Sequence, residues 1–481
     1  MASLKSLAKD TAIYGLSSIV GRFLNYLLVP LYTIKLSAES GGYGVITEVY
    51  SYVALLLVLL TFGMETTFFR FMNKEEENPQ LVYSTTLIAV LTVGLLFVAA
   101  VLGFLDPIAD FMNYSDHPEY IGMMAVCVAI DAFQCIPFAY LRHQKRPIKF
   151  ASLKLLFIFM NIGLNLLYFV VLDHSDVFYA FAINLFCTAF ITLFFFKELT
   201  CIRWKVDFPL LKRMLKYAWP ILILGIAGIL NQTADKMIYC QVVEGPEGKV
   251  ELGIYGACVK IAMIMAMITQ AFRYAYEPFV FGKQKDKDNR ATYAAAMKYF
   301  IIFTLLAFLG VVAYLDILKY IIAPDYWEGL RVVPIVMAAE IMMGVYFNLS
   351  FWYKLIDRTI WGAWFSGIGC VVLIAVNLIF IPQYGYMACA WAGCAGYGTA
   401  MLLSYFVGQK YYPINYPLKS IAVYVAIAAL FFVVMTVSAR YIDNFWLKMG
   451  INTGCVLLFI GHILYHDFRF WERGAKKVAK G

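Results

Sequence analysis

Residues 43–63, YGVITEVYSYVALLLVLLTFG, and residues 255–275, YGACVKIAMIMAMITQAFRYA, are the two stretches whose reading decides the fold. Each opens on Tyr-Gly and then stays apolar for about 20 residues, the length a helix needs to cross hydrocarbon. They are related by an offset of 212, and the relation holds without a gap over 43–165 and 255–377. Glu65 recurs as Glu277, Arg146 as Arg358 and Asn165 as Asn377. Every hydrophobic run of the first segment falls on a hydrophobic run of the second. A membrane protein made of two similar halves is the usual build of a transporter, with the substrate path at the repeat interface.

Composition agrees with that class. The chain has 481 residues, 62% hydrophobic, 17% aromatic and 15% charged, whereas soluble domains are about 45–50% apolar and about 25% charged. That charge cannot cover a water-soluble fold of this size. The apolar runs predict about fourteen transmembrane helices, from 11–36 to 444–466. The first is too long for the apolar core of a cleaved signal and no A-x-A site follows it, so it reads as a retained helix.

Loops on the side of the termini are basic, with Arg142, Lys145 and Arg146, then 203–216, then 283–290. Loops on the other side carry Asp106, Asp110, Asp116, Asp173, Asp176, Glu244 and Glu247. This asymmetry predicts both termini in the cytoplasm. The net charge of +8 is then a topology signal and a contact with membrane lipids, and it does not point to nucleic acid. Ten cysteines and five histidines are present, with no C-x-x-C pair, metal-spaced cluster, G-x-S-x-G or P-loop. No cofactor, metal or catalytic centre is therefore expected, and the chain reads as a non-enzyme.

The expected fold class is an all-α polytopic membrane protein with two pseudo-symmetric six-helix lobes and two C-terminal helices. The lobes divide as 1–200 with helices 1–6 and 201–410 with helices 7–12, followed by 411–481 with helices 13–14 and a basic tail. Six spans per lobe make the repeat parallel, with its axis along the membrane normal. The leading stretch 201–216 has two readings, an amphipathic helix on the inner leaflet or a plain linker. Prolines 30, 137, 220, 278 and 334 fall inside spans and predict kinks.

A charge in hydrocarbon costs at least about 2.5–3.5 kcal/mol on insertion scales, so ionisable residues within spans should face a cavity or a partner. They are Arg22, Glu48, Asp131, Asp235, Lys236, Lys260, Arg273 and Glu340, with Glu65 and Glu277 near the inner ends. Glu48 and Lys260 share one repeat position, which suggests a gate across the outer mouth; each pairing within its own lobe is the other reading. Arg273 and Glu277 are four apart, so an intrahelical ion pair also accounts for them. Lys260 and Arg273 point roughly 140° apart on an ideal helix, and adjacent Asp235 and Lys236 should diverge. Buried cations suit a phosphate or pyrophosphate, which a guanidinium grips bidentately.

The stretches Lys9-Asp10-Thr11-Ala12-Ile13-Tyr14-Gly15-Leu16, Pro30-Leu31-Tyr32-Thr33, Phe62-Gly63-Met64-Glu65-Thr66-Thr67-Phe68-Phe69-Arg70-Phe71, Leu215-Lys216-Tyr217-Ala218-Trp219-Pro220 and Asp235-Lys236 carry a resemblance. They resemble Wzx-type oligosaccharide flippases, polysaccharide-biosynthesis proteins of the MOP (MATE-like) exporter superfamily. The resemblance implies two six-helix bundles forming a V, a cationic central cavity, and location in a bacterial inner membrane. It implies flipping of undecaprenyl-pyrophosphate-linked oligosaccharide to the periplasmic leaflet by alternating access, for surface polysaccharide synthesis. Related lipid II flippases use arginines in helices 1 and 8, and Arg22 and Arg273 match those placements. Those proteins carry another in helix 2, where this chain has Glu48 and Glu65, a departure that weakens a lipid II assignment. Arg22 and Arg273 become the candidate pyrophosphate ligands, with Lys260 and Lys236 in support and Asn25, Tyr26, Asn231 and Gln232 as candidate sugar contacts. Proton or sodium coupling stays open, with Asp235 or Asp131 as its candidates, and polysaccharide assembly proteins are candidate partners. A multidrug/cation antiporter of the same superfamily and a membrane glycan polymerase or ligase are the competing readings.

Overall fold

The structure, a computed structural model, describes residues 26–74, 77–200, 205–282, 289–356 and 358–468, without the side chains of 274–275, 277–282, 289 and 468. No strand occurs among the described residues. Their long helices, numbered to keep the fourteen expected spans, are α1 Leu28–Lys35, α2 Gly42–Met72, α3 Pro79–Gly103, α4 Pro118–His143, α5 Pro147–Val171, α6 Val177–Thr200 and α7 Phe208–Val242. They continue as α8 Pro246–Gly282, α9 Asn289–Ala313, α10 Pro324–Leu355, α11 Ile360–Tyr384, α12 Tyr386–Tyr411, α13 Leu418–Tyr441 and α14 Phe445–Asp467. Twelve are long and apolar enough to cross a membrane. α12 adds 26 residues rich in glycine and alanine, and only the end of the expected first span lies among the described residues.

Local chemistry explains where these helices begin. Pro79, Pro118, Pro147 and Pro246 occupy first helical positions, where a missing N–H costs nothing. Asn78, Asp176, Asp207 and Asn444 cap α3, α6, α7 and α14, their side-chain oxygens accepting from backbone N–H groups of the first turn. α2 is interrupted at Phe62 and Gly63, both left-handed with φ of 48° and 65°. That conformation is easy for Gly63 and strained for Phe62. Pro137 and Pro220 lie inside α4 and α7.

The chain divides into two compact units. Residues 1–257 with 377–389 form unit 1, and residues 258–376 with 390–481 form unit 2. In unit 1 the core joins Leu60, Met64 and Phe68 of α2 to Val82 and Leu87 of α3, Val128 and Ile136 of α4, and Leu210 and Met214 of α7. In unit 2, Phe300 and Leu305 of α9 pack against Tyr424 and Met435 of α13 and Phe459 of α14. Lipid tails are as apolar as these side chains, so close packing and buried hydrogen bonds hold each unit together within hydrocarbon. Asn165 shows the second contribution: fully buried, it accepts from the Tyr32 hydroxyl at 2.8 Å and donates to the Asn161 carbonyl at 2.8 Å. Its repeat mate Asn377 is also fully buried.

Candidate functional site

The Tyr-Gly pairs that open the repeat meet in unit 1, where the start of α2 crosses the start of α8. A Cβ on Gly44 would lie 1.8 Å from the backbone oxygen of Lys249, and one on Gly256 would lie 2.6 Å from Thr47 Oγ1. Gly253 is in contact too, its would-be Cβ 3.0 Å from the Gly44 nitrogen. The two helices touch backbone to backbone, as small residues permit inside membranes.

A buried polar chain surrounds this crossing. Glu48 of α2 is 0% exposed and accepts from the Tyr114 hydroxyl at 2.7 Å. Lys249 Nζ lies 3.8 Å from the Tyr114 ring centroid and donates to the Asn113 carbonyl at 2.7 Å. Tyr114 lies in the loop between α3 and α4. Burial first, and the Glu48 carboxylate second, hold its phenol pKa well above the ordinary value, so it is a fixed donor. The carboxylate of the expected Glu48–Lys260 gate is thus hydrogen-bonded within its own unit. Tyr114 and Lys249 were missed in the sequence: one sits in a loop 66 residues from Glu48, the other in the first turn of α8 beside Glu247, with no visible partner.

On α7, Asp235 and Lys236 do not diverge as expected. The flexible stem of Lys236 folds back so that Nζ reaches both Asp235 oxygens at 3.0 Å and the Gln232 carbonyl at 3.1 Å. Tyr255 of α8 donates its hydroxyl to Asp235 Oδ2 at 2.7 Å. The acid is therefore held by an ammonium and a phenol together. Asn231 is buried and donates to the Ala227 carbonyl at 2.9 Å, Gln232 is exposed and Tyr26 half-buried.

Asp131, Cys135, Phe138 and Arg142 recur at three- and four-residue spacing along one face of α4. Glu65 of α2, expected near the inner end of its span, takes Arg142 Nη1 at 2.9 Å and the Cys135 thiol at 3.2 Å. Lys154 of α5 lies 4.1 Å from the Phe138 ring centroid and within electrostatic reach of Asp131. Lys154 also escaped the sequence reading, although a lysine so close to the start of an apolar run was a visible signal.

In unit 2, Lys260 and Arg273 of α8 are both half-buried. The Arg273 guanidinium lies 4.8 Å from the ring centroid of Phe347 on α10, within cation–π range. Arg22, Asn25 and the Glu277 side chain lie outside the described residues. Of the described candidates, Lys236, Asp235, Asn231 and Gln232 stand on α7 of unit 1 and Lys260 and Arg273 on α8 of unit 2, while Tyr26, Glu48 and Asp131 lie elsewhere in unit 1.

Comparison with known proteins places this arrangement. The family described as "Polysaccharide biosynthesis protein" matches residues 7–276. A solved structure of the lipid II flippase MurJ in an inward closed conformation is similar, with a TM-score of 0.73 and 15% identity over 95% of this chain and 99% of that one. An inward-facing multidrug resistance MATE family transporter of the MOP superfamily gives 0.63 and 15% identity over 83% of this chain and 94% of that one. A MATE in complex with MaL6 gives 0.58 and 16% identity over 84% and 95%. At those identities the likeness is one of fold. No curated protein sequence matches the chain.

Proposed function

We propose that this chain, which belongs to the polysaccharide biosynthesis protein family, is a flippase for undecaprenyl-pyrophosphate-linked oligosaccharide. Its cargo passes from the cytoplasmic to the periplasmic leaflet of a bacterial inner membrane by alternating access, with both termini on the cytoplasmic side. One observation carries the reading: the family match runs over 7–276, and Arg22, Lys236, Lys260 and Arg273 all fall within it. Basic residues within membrane spans are costly and mark candidate substrate sites, and a pyrophosphate supplies up to two bidentate partners for guanidinium. Arg22 and Arg273 take that headgroup, Lys260 and Lys236 support it, and Asn25, Tyr26, Asn231 and Gln232 contact sugars. The likeness to a lipid II flippase fits a lipid-linked cargo. Lobes 1–200 and 201–410, with helices 13 and 14 beyond, provide the alternating halves. Asp131 and Asp235 are the carboxylates available to couple proton or sodium movement to transport.

The likeness to multidrug MATE transporters makes organic cations the competing cargo. Reconstitution separates the two readings. In vesicles loaded on one side with a lipid-linked oligosaccharide, the chain should expose sugar to a lectin on the other side. Arg273→Ala should slow that exposure roughly ten- to a hundredfold while the protein still assembles. Sugar exposure at the wild-type rate in Arg273→Ala, or uptake of an organic cation with no sugar exposure, would remove the flippase reading.

A further inference from the structure

In both units basic side chains meet carboxylates, as Arg331 meets Glu328 and Lys319 meets Asp316 in unit 2. In unit 1, Glu65 neutralises Arg142 at 2.9 Å, Glu77 takes Arg213 at 2.6 Å, and buried Glu198 takes Lys149 at 2.6 Å. Arg70 is an exception, lying over the Tyr217 ring. In unit 2, two exposed arginines from distant stretches converge on consecutive tyrosines. Arg290 at the start of α9 lies 4.5 Å from the Tyr412 ring centroid, and Arg358, just before α11, lies 5.3 Å from that of Tyr411. Neither forms an ion pair with a carboxylate among the described residues.

A ring face attracts a cation through its quadrupole but carries no net charge, so the full positive charge remains. The in-plane N–H groups of each guanidinium stay available for an outside acceptor. The platform beneath is built: Trp352 stacks on Tyr411 with 6.1 Å between centroids and a 7° interplanar angle, and Trp361 lies 5.7 Å from the same ring.

The helices that follow show where these arginines sit. Ile360 and Trp364, one turn apart on α11 and just beyond Arg358, are 62% and 63% exposed. On α9 an exposed face runs through Ala291, Ala295, Tyr299 and Phe303, with exposed Arg290 next to its first residue. In a chain whose helices span a membrane, such faces meet lipid tails. The residues at their polar ends then lie at the depth of headgroups, where arginine and aromatic side chains are favoured.

We propose that the Arg290–Tyr412 and Arg358–Tyr411 pairs form a receptor for the headgroup phosphate of an anionic phospholipid, in the leaflet on the basic side of unit 2. The flanking lipid-facing side chains favour a phospholipid over a soluble acidic partner. The receptor serves the standing membrane and not the cargo, so it stands or falls independently of the flippase reading.

The test is thermal stabilisation of the full-length chain in neutral detergent by phosphatidylglycerol, phosphatidylcholine, inorganic phosphate or a poly-glutamate peptide. Phosphatidylglycerol should raise the midpoint more than any other additive. That excess over phosphatidylcholine should fall to half or less in R290Q/R358Q and remain whole in R213Q, whose charge Glu77 already meets. The single variants R290Q and R358Q should each lose part of it, and they carry the test if the double variant does not accumulate. An undiminished excess in the arginine variants would overturn the receptor. So would an equal shift from inorganic phosphate or from the peptide.

Discussion

The acids of α2 have partners inside unit 1: Glu48 accepts from Tyr114 at 2.7 Å, and Glu65 accepts from Arg142 at 2.9 Å. At the repeat position of Glu48, α8 carries Lys260, and one turn before Glu277 it carries Arg273, which faces a phenyl ring. Both helices keep the opening Tyr-Gly, and both glycines sit at the same crossing. The duplicated element has thus kept its backbone contact and the acid at Glu65 and Glu277, while Glu48 has given way to Lys260 and Thr61 to Arg273. One copy ties a unit together with a buried and a half-buried carboxylate; on the flippase reading, the other presents cations to a diphosphate.

The largest expected effect breaks the comparison on the α8 side. Arg273→Ala should lower lipid-linked oligosaccharide transport roughly ten- to a hundredfold, the scale of a lost charge-assisted contact of about 1.5–3 kcal/mol. Glu65→Gln on α2 should leave the transport rate near wild type, as measured in reconstituted vesicles. Next come the shared glycines. Gly44→Ala puts a methyl against a backbone oxygen that cannot step aside, and it should cost about 1–3 kcal/mol of stability by thermal or denaturant melting. Gly256→Ala meets a threonine side chain instead and should cost less; the reverse order would contradict the crossing. Glu48→Ala leaves the buried Tyr114 hydroxyl without its acceptor, for a loss of about 1–2 kcal/mol, whereas Glu48→Gln keeps an acceptor and should melt near wild type.

The smallest effect lies outside both helices. Burial alone would raise the Asp316 pKa, but hydrogen bonds and charge from Lys448 and Lys319 outweigh it and hold it below the usual carboxylate value. A carboxyl depressed on folding stabilises fully above its unfolded pKa, and that contribution is lost as pH falls through the folded value. Lys448→Met should therefore lower the melting midpoint slightly near neutrality and leave it unchanged at pH values below the folded pKa, so that the acid limb flattens.

The helical membrane architecture was legible because apolar runs of span length dominate the chain. The α2–α8 crossing was half legible: the offset paired the Tyr-Gly dipeptides, but that they pack on one another depends on tertiary arrangement. Side-chain reach defeated the reading of Asp235 and Lys236, since a helical wheel sets the direction of Cβ and not the fold-back of a four-carbon stem. The partner of Glu48 was hidden for another reason. Tyr114 lies in a loop with no periodicity to flag it, and only the fold brings it under α2. The tyrosine platform under Arg290 and Arg358 joins three separate stretches and carries no linear signature.

The central claim, that the basic residues of α8 receive a lipid-linked diphosphate, is tested most directly by thermal stabilisation of the purified chain with undecaprenyl pyrophosphate against undecaprenyl phosphate. The account predicts a larger midpoint shift for the pyrophosphate, lost in Arg273→Ala. An equal shift for both lipids that persists in Arg273→Ala, or a shift from organic cations alone, would contradict it.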